Sequence, residues 1–323
     1  LLSEGKYFQR MAAIEPTYDE LVSRTDAPPG SSWGLWPGRE VLGCLNRITP
    51  ERRQRAAGLV RSGEVYALDL DPEQPDPPLF QRARMTREVT WLGDVGHDEI
   101  LSGYNTQSSS QWDGFRHIRS REHGFHGGVA DEDHGIHHWA DHGIVTRGVL
   151  ADVARHRSIA PGESDVIDPG DVQACLDAQG VQVERGDILL IRTGWTTWYR
   201  SLDAAGRATA ANEAKCCGLR AGPSTARFLW DLGLAAVAAD NPALEVFPPG
   251  TGRENGDGDA GRERSFLHFY LLPRLGLPIG ELWDLDALAD ACSADGRYDF
   301  MLTSAPLRLR NGVASPPNAL AIR

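Results

Sequence analysis

Seven of the chain's ten histidines lie between residues 117 and 142: His117, His123, His126, His134, His137, His138 and His142. Imidazole titrates near neutral pH and is a common metal ligand. Clustering of this kind points to metal binding or acid–base chemistry. For any single one of them, a solvated loop histidine is the ordinary expectation. Leading into the cluster is the run Gln107-Ser108-Ser109-Ser110-Gln111-Trp112-Asp113-Gly114-Phe115-Arg116-His117. Its spacing lets Gln107, Gln111 and Asp113 converge from a loop or a short helical turn.

These residues need a scaffold, and the chain is long enough for one large domain or two modest ones. Of its 323 residues, 41 % are hydrophobic and 24 % charged, ordinary values for a globular protein. The formal net charge of −12 argues against nucleic acid or an anionic membrane surface as the main partner. No apolar run approaches the roughly 20 residues that span a bilayer. The first ten residues lack the apolar core of a signal peptide, and Met11 is a plausible native start. The five cysteines, Cys44, Cys175, Cys216, Cys217 and Cys292, are scattered. They suggest buried thiols in a reducing, cytoplasmic setting rather than a disulfide framework.

Strands are expected over 64–70, 144–153, 187–192, 234–239 and 266–272, with closing strands over 301–310. Helices are expected over 53–61, introduced by Thr49-Pro50-Glu51, and over 169–179, 223–232 and 284–292. Residues 71–80 and 101–143 have loop composition, and 250–264 reads as a mobile surface loop. No internal repeat, dinucleotide fingerprint or phosphate-binding lysine loop is present. Strands outnumber helices and alternate with them irregularly. That suits a single α/β or α+β domain over 27–323, preceded by an N-terminal extension over 1–26.

The run 107–117 resembles the signature of the cyclase family, H-x-G-T-H-x-D-x-P-x-H. Gln107 and Gln111 stand at the two leading histidines, Asp113 at the aspartate and His117 at the last histidine. The Gln-x3-Gln-x-Asp variant is similar to that of trans-dienelactone hydrolase, a metal-dependent relative. Further resemblances keep the family's order. They are Trp33-Gly34-Leu35-Trp36, Leu42–Pro50, Gly135–Trp139 with Gly143–Leu150, Gly186–Trp195, and Leu267-His268 through Leu285. Together they span roughly residues 30–310.

The resemblance implies a swivelling β/β/α fold with a mixed sheet or barrel core and flanking helices. It implies a metal-dependent hydrolase, in a family that includes kynurenine formamidases and isatin hydrolases. Late ligands carried over with it are His268 and Glu281, joining Gln107, Gln111 and Asp113, with His117 as the base. Amide oxygens favour manganese or magnesium, whereas a histidine ligand favours zinc, so one ion, Zn2+ or Mn2+, is expected. Opening a cyclic or aryl amide or lactone is the expected reaction. A lyase or dehydratase on the same scaffold, and a metal-free binding protein, stay open. Trp33, Trp36, Trp112 and Phe115 are candidates to line a pocket for a flat ring. Arg116 or Arg147 is a candidate to hold a substrate carboxylate. A homodimer or homotetramer follows from the resemblance alone.

Overall fold

The strand-like segment 144–153 and the aliphatic run 187–192 become adjacent parallel strands in the middle of a nine-stranded sheet. The computed structural model describes residues 15–251 and 265–323. In chain order the strands are β1 Val65–Ala67, β2 Thr86–Trp91, β3 His97–Ser102, β4 Gln111–Asp113, β5 Ile144–Asp152, β6 Val166–Ile167 and β7 Ile188–Arg192. There follow β8 Gly218–Leu219, β9 Ala236–Ala239, β10 Ile279–Glu281, β11 Asp299–Ser304, β12 Ala314–Ser315 and β13 Ala319–Ile322. The main sheet runs β1-β13-β11-β5-β7-β9-β10-β4-β12 and curls into a half-barrel with flanking helices. Strands β5, β7, β9 and β10 are parallel, and the outer pairs are antiparallel. Parallel strands must be covered on both faces. Accordingly Ile188–Ile191 and Ala236–Ala239 are buried throughout.

Several helix ends follow from their capping residues. Thr49 accepts from the amide of Arg52, and Pro50 opens the helix Pro50–Ala57. The Asp171 carboxylate accepts from the amide of Asp168 at the start of Pro169–Gln179, and Gly180 ends that helix with φ 65°. Pro223–Asp231 and Asp286–Asp295 lie close to their expected spans. Among the described residues no helix is long and apolar enough to cross a membrane.

Other expectations need correction. The run 266–272 is not a strand. Helical backbone begins at His268 and widens into a π-type helix over Tyr270–Leu275, with Pro273 inside and Gly276 at its end. An all-apolar run carries no periodicity that separates buried helix from buried strand. The loop expected over 101–143 contains the end of β3, all of β4 and the helix His137–His142. Within 301–310 only the end of β11 is strand; the closing strands are β12 and β13. Helices Trp195–Ser201 and Ala204–Glu213 and the β2–β3 hairpin were not anticipated. Part of the stretch expected as an extension packs on the body. Tyr18 and Leu21 belong to the main core, and the Tyr18 amide donates to Asp231 Oδ1 at 2.8 Å. Residues 1–14, and the expected mobile loop from 252 to 264, lie outside the described residues.

The strand ends around β9 are tied by one carboxylate. Asp240 accepts from the amide of Thr193 at 2.6 Å, its hydroxyl at 2.8 Å and the amide of Gly194 at 2.9 Å. This joins the end of β7 to the end of β9. Next door, the Asn241 carbonyl accepts from Leu282 N just past β10. The segment 240–245 is thereby fixed beside β10.

Burial pushes the Asp240 carboxyl up to about 6, although the Thr193 donors and Arg192 oppose the shift. The folded protein therefore holds this proton more tightly than the unfolded chain does. Stability from this group is complete below the ordinary carboxyl range and is lost as pH rises through about 6. Between about pH 4 and pH 7, urea unfolding of the wild type should lose stability relative to Asp240→Asn. Curves that stay parallel across that window would contradict the assignment.

Candidate metal centre

Side chains alternate across a strand, so Gln111 and Asp113 of β4 share one face and Trp112 takes the other. The antiparallel register sets Gln111 opposite Glu281 and Trp112 opposite Gly280. Trp112 is fully buried, edge-on to Trp283 and Trp139, and its indole N–H donates to Ser304 Oγ. Gly280 makes room there. A Cβ at that position would sit 2.6 Å from Ala238 Cβ and 2.7 Å from Trp283 Nε1.

On the other face the six expected residues meet. Gln111 Nε2 donates to Glu281 Oε2 at 2.6 Å and to Asp113 Oδ1 at 3.3 Å. Gln107 Nε2 lies 2.8 Å from Asp113 Oδ1 and 3.0 Å from His117 Nδ1. His268, at the start of the helical segment, brings Nε2 within 3.3 Å of Asp113 Oδ2 and 3.1 Å of Glu281 Oε1. His117 Nε2 is 3.7 Å from Asp113 Oδ2. Asp113, Glu281, His268 and Gln111 are buried, and His117 is partly exposed.

A seventh residue completes the group, and the sequence reading missed it. Glu245, fully buried, sits with both oxygens 3.0 Å from His268 Nδ1 and accepts from the Leu267 amide at 2.9 Å. Its signal was an acid inside the mostly apolar run 242–247, where an unpaired carboxylate is costly.

The charges explain one another. Burial alone would raise the Asp113 carboxyl, but the His117 and His268 rings and the Gln107 amide hold it well below the usual carboxylate range. Burial and the adjacent Asp113 push Glu281 up to about 7. Burial would lower His268, yet Glu245, Asp113 and Glu281 raise it well above an ordinary histidine. Burial lowers His117, and the positive charges of His268 and Arg82 add to this against the pull of Asp113.

Among the described residues, three buried oxygens in this group have no hydrogen-bond partner: Gln111 Oε1, Asp113 Oδ2 and Glu281 Oε1. His268 Nε2 approaches the last two without hydrogen-bond alignment. Ligand atoms of Asp113, His117 and His268 lie within 4.8 Å of one another. Unpaired acceptors beside imidazole nitrogens make a donor set that fits a divalent cation. Gln107 is different: its amide nitrogen, a donor, is the atom turned inward.

A cavity of about 120 Å³ opens beside the group. Its polar side is His117, His268 and Glu281. Arg82 adds a guanidinium to that side, and Phe80, Phe247, Phe266, Pro242 and Ala243 supply the apolar rest. None of the expected substrate residues lines it. Trp112 and Phe115 are core side chains, Phe115 packing against His126 and Trp139. Trp36 packs against Trp230 and Arg47, and the Trp33 indole donates to the Pro273 carbonyl. Arg116 pairs with Asp131, and Arg147 with Asp187 and Asp299. The remaining histidines of the 117–142 cluster stay outside; His126, for one, is buried against Phe115 and its pKa is lowered to about 3 by burial and His134. A larger cavity of about 190 Å³, lined by Pro72–Asp76, Pro78, Arg84, Met85 and Ser108, contains none of the six residues.

Glu245→Ala leaves a buried imidazole and a backbone amide without their acceptor. The expected cost is roughly 3–5 kcal/mol of folding stability, read by chemical denaturation. Glu245→Gln keeps an acceptor oxygen and should lose clearly less. Equal stability of Glu245→Ala and wild type would refute the assigned contacts.

Comparison with known proteins gives a consistent picture. Residues 66–246 match the family "Cyclase", described as "Putative cyclase". A crystal structure of a novel cyclase is similar at TM-score 0.77 and 31 % identity, covering 91 % of this chain and 99 % of the other. Isatin hydrolase A from Labrenzia aggregata, bound to benzyl benzoate, is similar at TM-score 0.56 and 18 % identity over 82 % of this chain and 94 % of its own. An isatin hydrolase bound to the product analogue thioisatinate is similar at 0.55 and 15 %, over 85 % and 98 %. The curated proteins contain no match. The chain belongs to the cyclase family.

Proposed function

We propose that this protein is a metal-dependent hydrolase that opens a small cyclic or aryl amide or lactone. The observation that carries the reading is the set of three unpartnered buried oxygens on Gln111, Asp113 and Glu281, gathered beside His268 and His117 at a cavity. Isatin hydrolases share the fold. Gln111 Oε1, Asp113, His268 and Glu281 are the ligands proposed for one ion, zinc or manganese. Gln107, as placed, braces Asp113 and the His117 ring through its amide nitrogen. Lewis acidity is what a divalent ion supplies in such a cage: it polarises an acyl carbonyl and acidifies water.

The chain's own part is orientation and proton transfer. Glu245 holds His268 by Nδ1, which leaves Nε2 turned toward Asp113 and Glu281. Gln107 holds His117 by Nδ1 and leaves Nε2 turned toward Asp113. His117 is neutral at neutral pH because burial lowers its pKa. Because the Gln107 amide donates to Nδ1, the neutral ring carries its proton on Nε2. As the base it gives up the Gln107 contact, takes the proton of the attacking water at Nδ1 and returns it to the departing nitrogen or oxygen. The five thiols, all unpaired and buried, support a cytoplasmic setting.

Protein purified without chelator should hold one equivalent of zinc or manganese per chain and hydrolyse members of a panel of lactones, isatin-like lactams and aryl formamides. Asp113→Ala should lose both metal and turnover. His117→Ala should keep the metal and lose on the order of 10²–10⁴ in turnover. No metal after reconstitution would sink the reading. Retained metal with turnover only of non-hydrolytic substrates would move it to a lyase or dehydratase.

The reading includes assembly as a homodimer or homotetramer. What supports it is the β2–β3 hairpin, where nearly every residue is exposed, with Trp91 at 70 % and Val95 at 87 %. An isolated two-stranded ribbon is marginal in water. Val89, Trp91 and Leu101 share one of its faces, to which a second copy of the chain can add cover. Light scattering should give a dimer or tetramer, and the triple change to serine at these positions should shift it toward monomer. A monomeric wild type would remove this part of the reading.

A further inference from the structure

We propose that Arg82 is a specificity-determining residue that selects substrates carrying a carboxylate on a small flat ring. The proposal deepens the reading of the cavity as a substrate site and rests on it.

Arg82 lines the same cavity as His117, His268 and Glu281. Its Nη1–H donates to the Gln107 carbonyl, and its guanidinium carbon lies 5.1 Å from the Phe80 ring centroid. These contacts fix the group without neutralising it. Among the described residues it has no carboxylate partner. The contrast with other partly buried arginines is plain: Arg116, Arg147, Arg192 and Arg220 each pair with one or more aspartates. In a chain of net charge −12, acids to pair with it are plentiful. A guanidinium presents five donors in a planar fork suited to a carboxylate, and the backbone carbonyl uses only part of them.

The rest of the wall is apolar and flat. Phe80 and Phe247 meet edge-on at 5.3 Å, and Phe266 stacks on the His268 ring at 4.3 Å and 4°. A ligand matching this arrangement has a planar apolar body against the phenyl rings and an anionic group on Arg82. Its reactive acyl group then faces His117 and Glu281. The positive charge of Arg82 is felt at both of those residues, which places it close to the reacting end. A neutral ligand of the same shape leaves the guanidinium partly desolvated without compensation, and this is what generates discrimination.

Benzoate and benzamide are a matched pair for the test, since they differ in charge and little in shape. Their binding is measured by titration against the wild type, Arg82→Leu and Arg82→Lys, each with and without added zinc or manganese. Thermal unfolding and metal content check that the variants fold and load. The wild type should prefer benzoate by about tenfold or more, and Arg82→Leu should erase that preference while moving benzamide affinity less than about twofold. Arg82→Lys, a cation without the fork, should keep only part of the preference. Two results overturn the proposal: no preference in the wild type, or a preference that survives in Arg82→Leu, which would assign the carboxylate to the ion. Failure of the hydrolase reading looks different. In that case the Arg82-dependent preference persists while the lactone, lactam and formamide panel is not turned over.

Discussion

A buried carboxylate without a partner costs several kcal/mol, and here three carboxylates crowd one imidazole. Asp113 and Glu281 face His268 Nε2, and Glu245 takes His268 Nδ1. The two glutamines add amide donors to the acids. Most local features near the site can be traced to keeping this group together. The register between β4 and β10 is the most demanding of them. A slip of one residue in β4 would turn Trp112 into the polar group and drive Gln111 and Asp113 into the tryptophan core. Small residues hold that register, since Gly280 and Ala238 allow β9, β10 and the indole of Trp283 to approach closely.

The same economy appears in the chain segments that serve both core and site. Residues 240–245 tie β7, β9 and β10 through Asp240 and Asn241, give Pro242 and Ala243 to the cavity wall, and end on Glu245. The helical segment from His268 to Leu275 buries Leu271, Leu272 and Leu275 and sends His268 forward into the polar group. Had it been the expected strand, Leu267 and Phe269 would lie on the face opposite His268 with no turn to deliver the histidine. Helical backbone lets a buried apolar segment present one polar side chain at its first turn.

The sequence was informative where chemistry or hydrophobicity is written locally. The run 187–192 read as a strand because it is short, aliphatic and bounded by Gly186 and by Thr193-Gly194, and 144–153 because it is rich in β-branched residues. Asp113, His117, His268 and Glu281 were found through their resemblance to a family pattern, and the structure brings all four together. What stayed hidden depends on facing, which one-dimensional spacing does not carry. Trp112 and Phe115 lie beside site residues in sequence and turn away from them in space. Phe80, Arg82, Phe247 and Phe266 are far from the signature and form the wall. Polar three-residue β4 has no hydrophobic alternation to betray it as a strand, so its context was read as loop.

The glutamines give this centre a character of its own. An imidazole at either position would face Asp113 with a nitrogen that donates only when it carries a proton. An amide presents two N–H donors whatever the pH, together with one weak oxygen ligand. Gln107 and Gln111 thus satisfy Asp113 and Glu281 by hydrogen bonds that require no cation. The acids remain organised in either case, and the attraction left for a cation falls on the three unpaired oxygens and His268. Neutral amide oxygen is also a weaker ligand than imidazole nitrogen. Both effects point the same way for the ligand set proposed above: the acids are organised before any cation arrives, the attraction left for a cation is weaker than in an all-histidine arrangement, and Glu245 keeps the His268 nitrogen aimed inward.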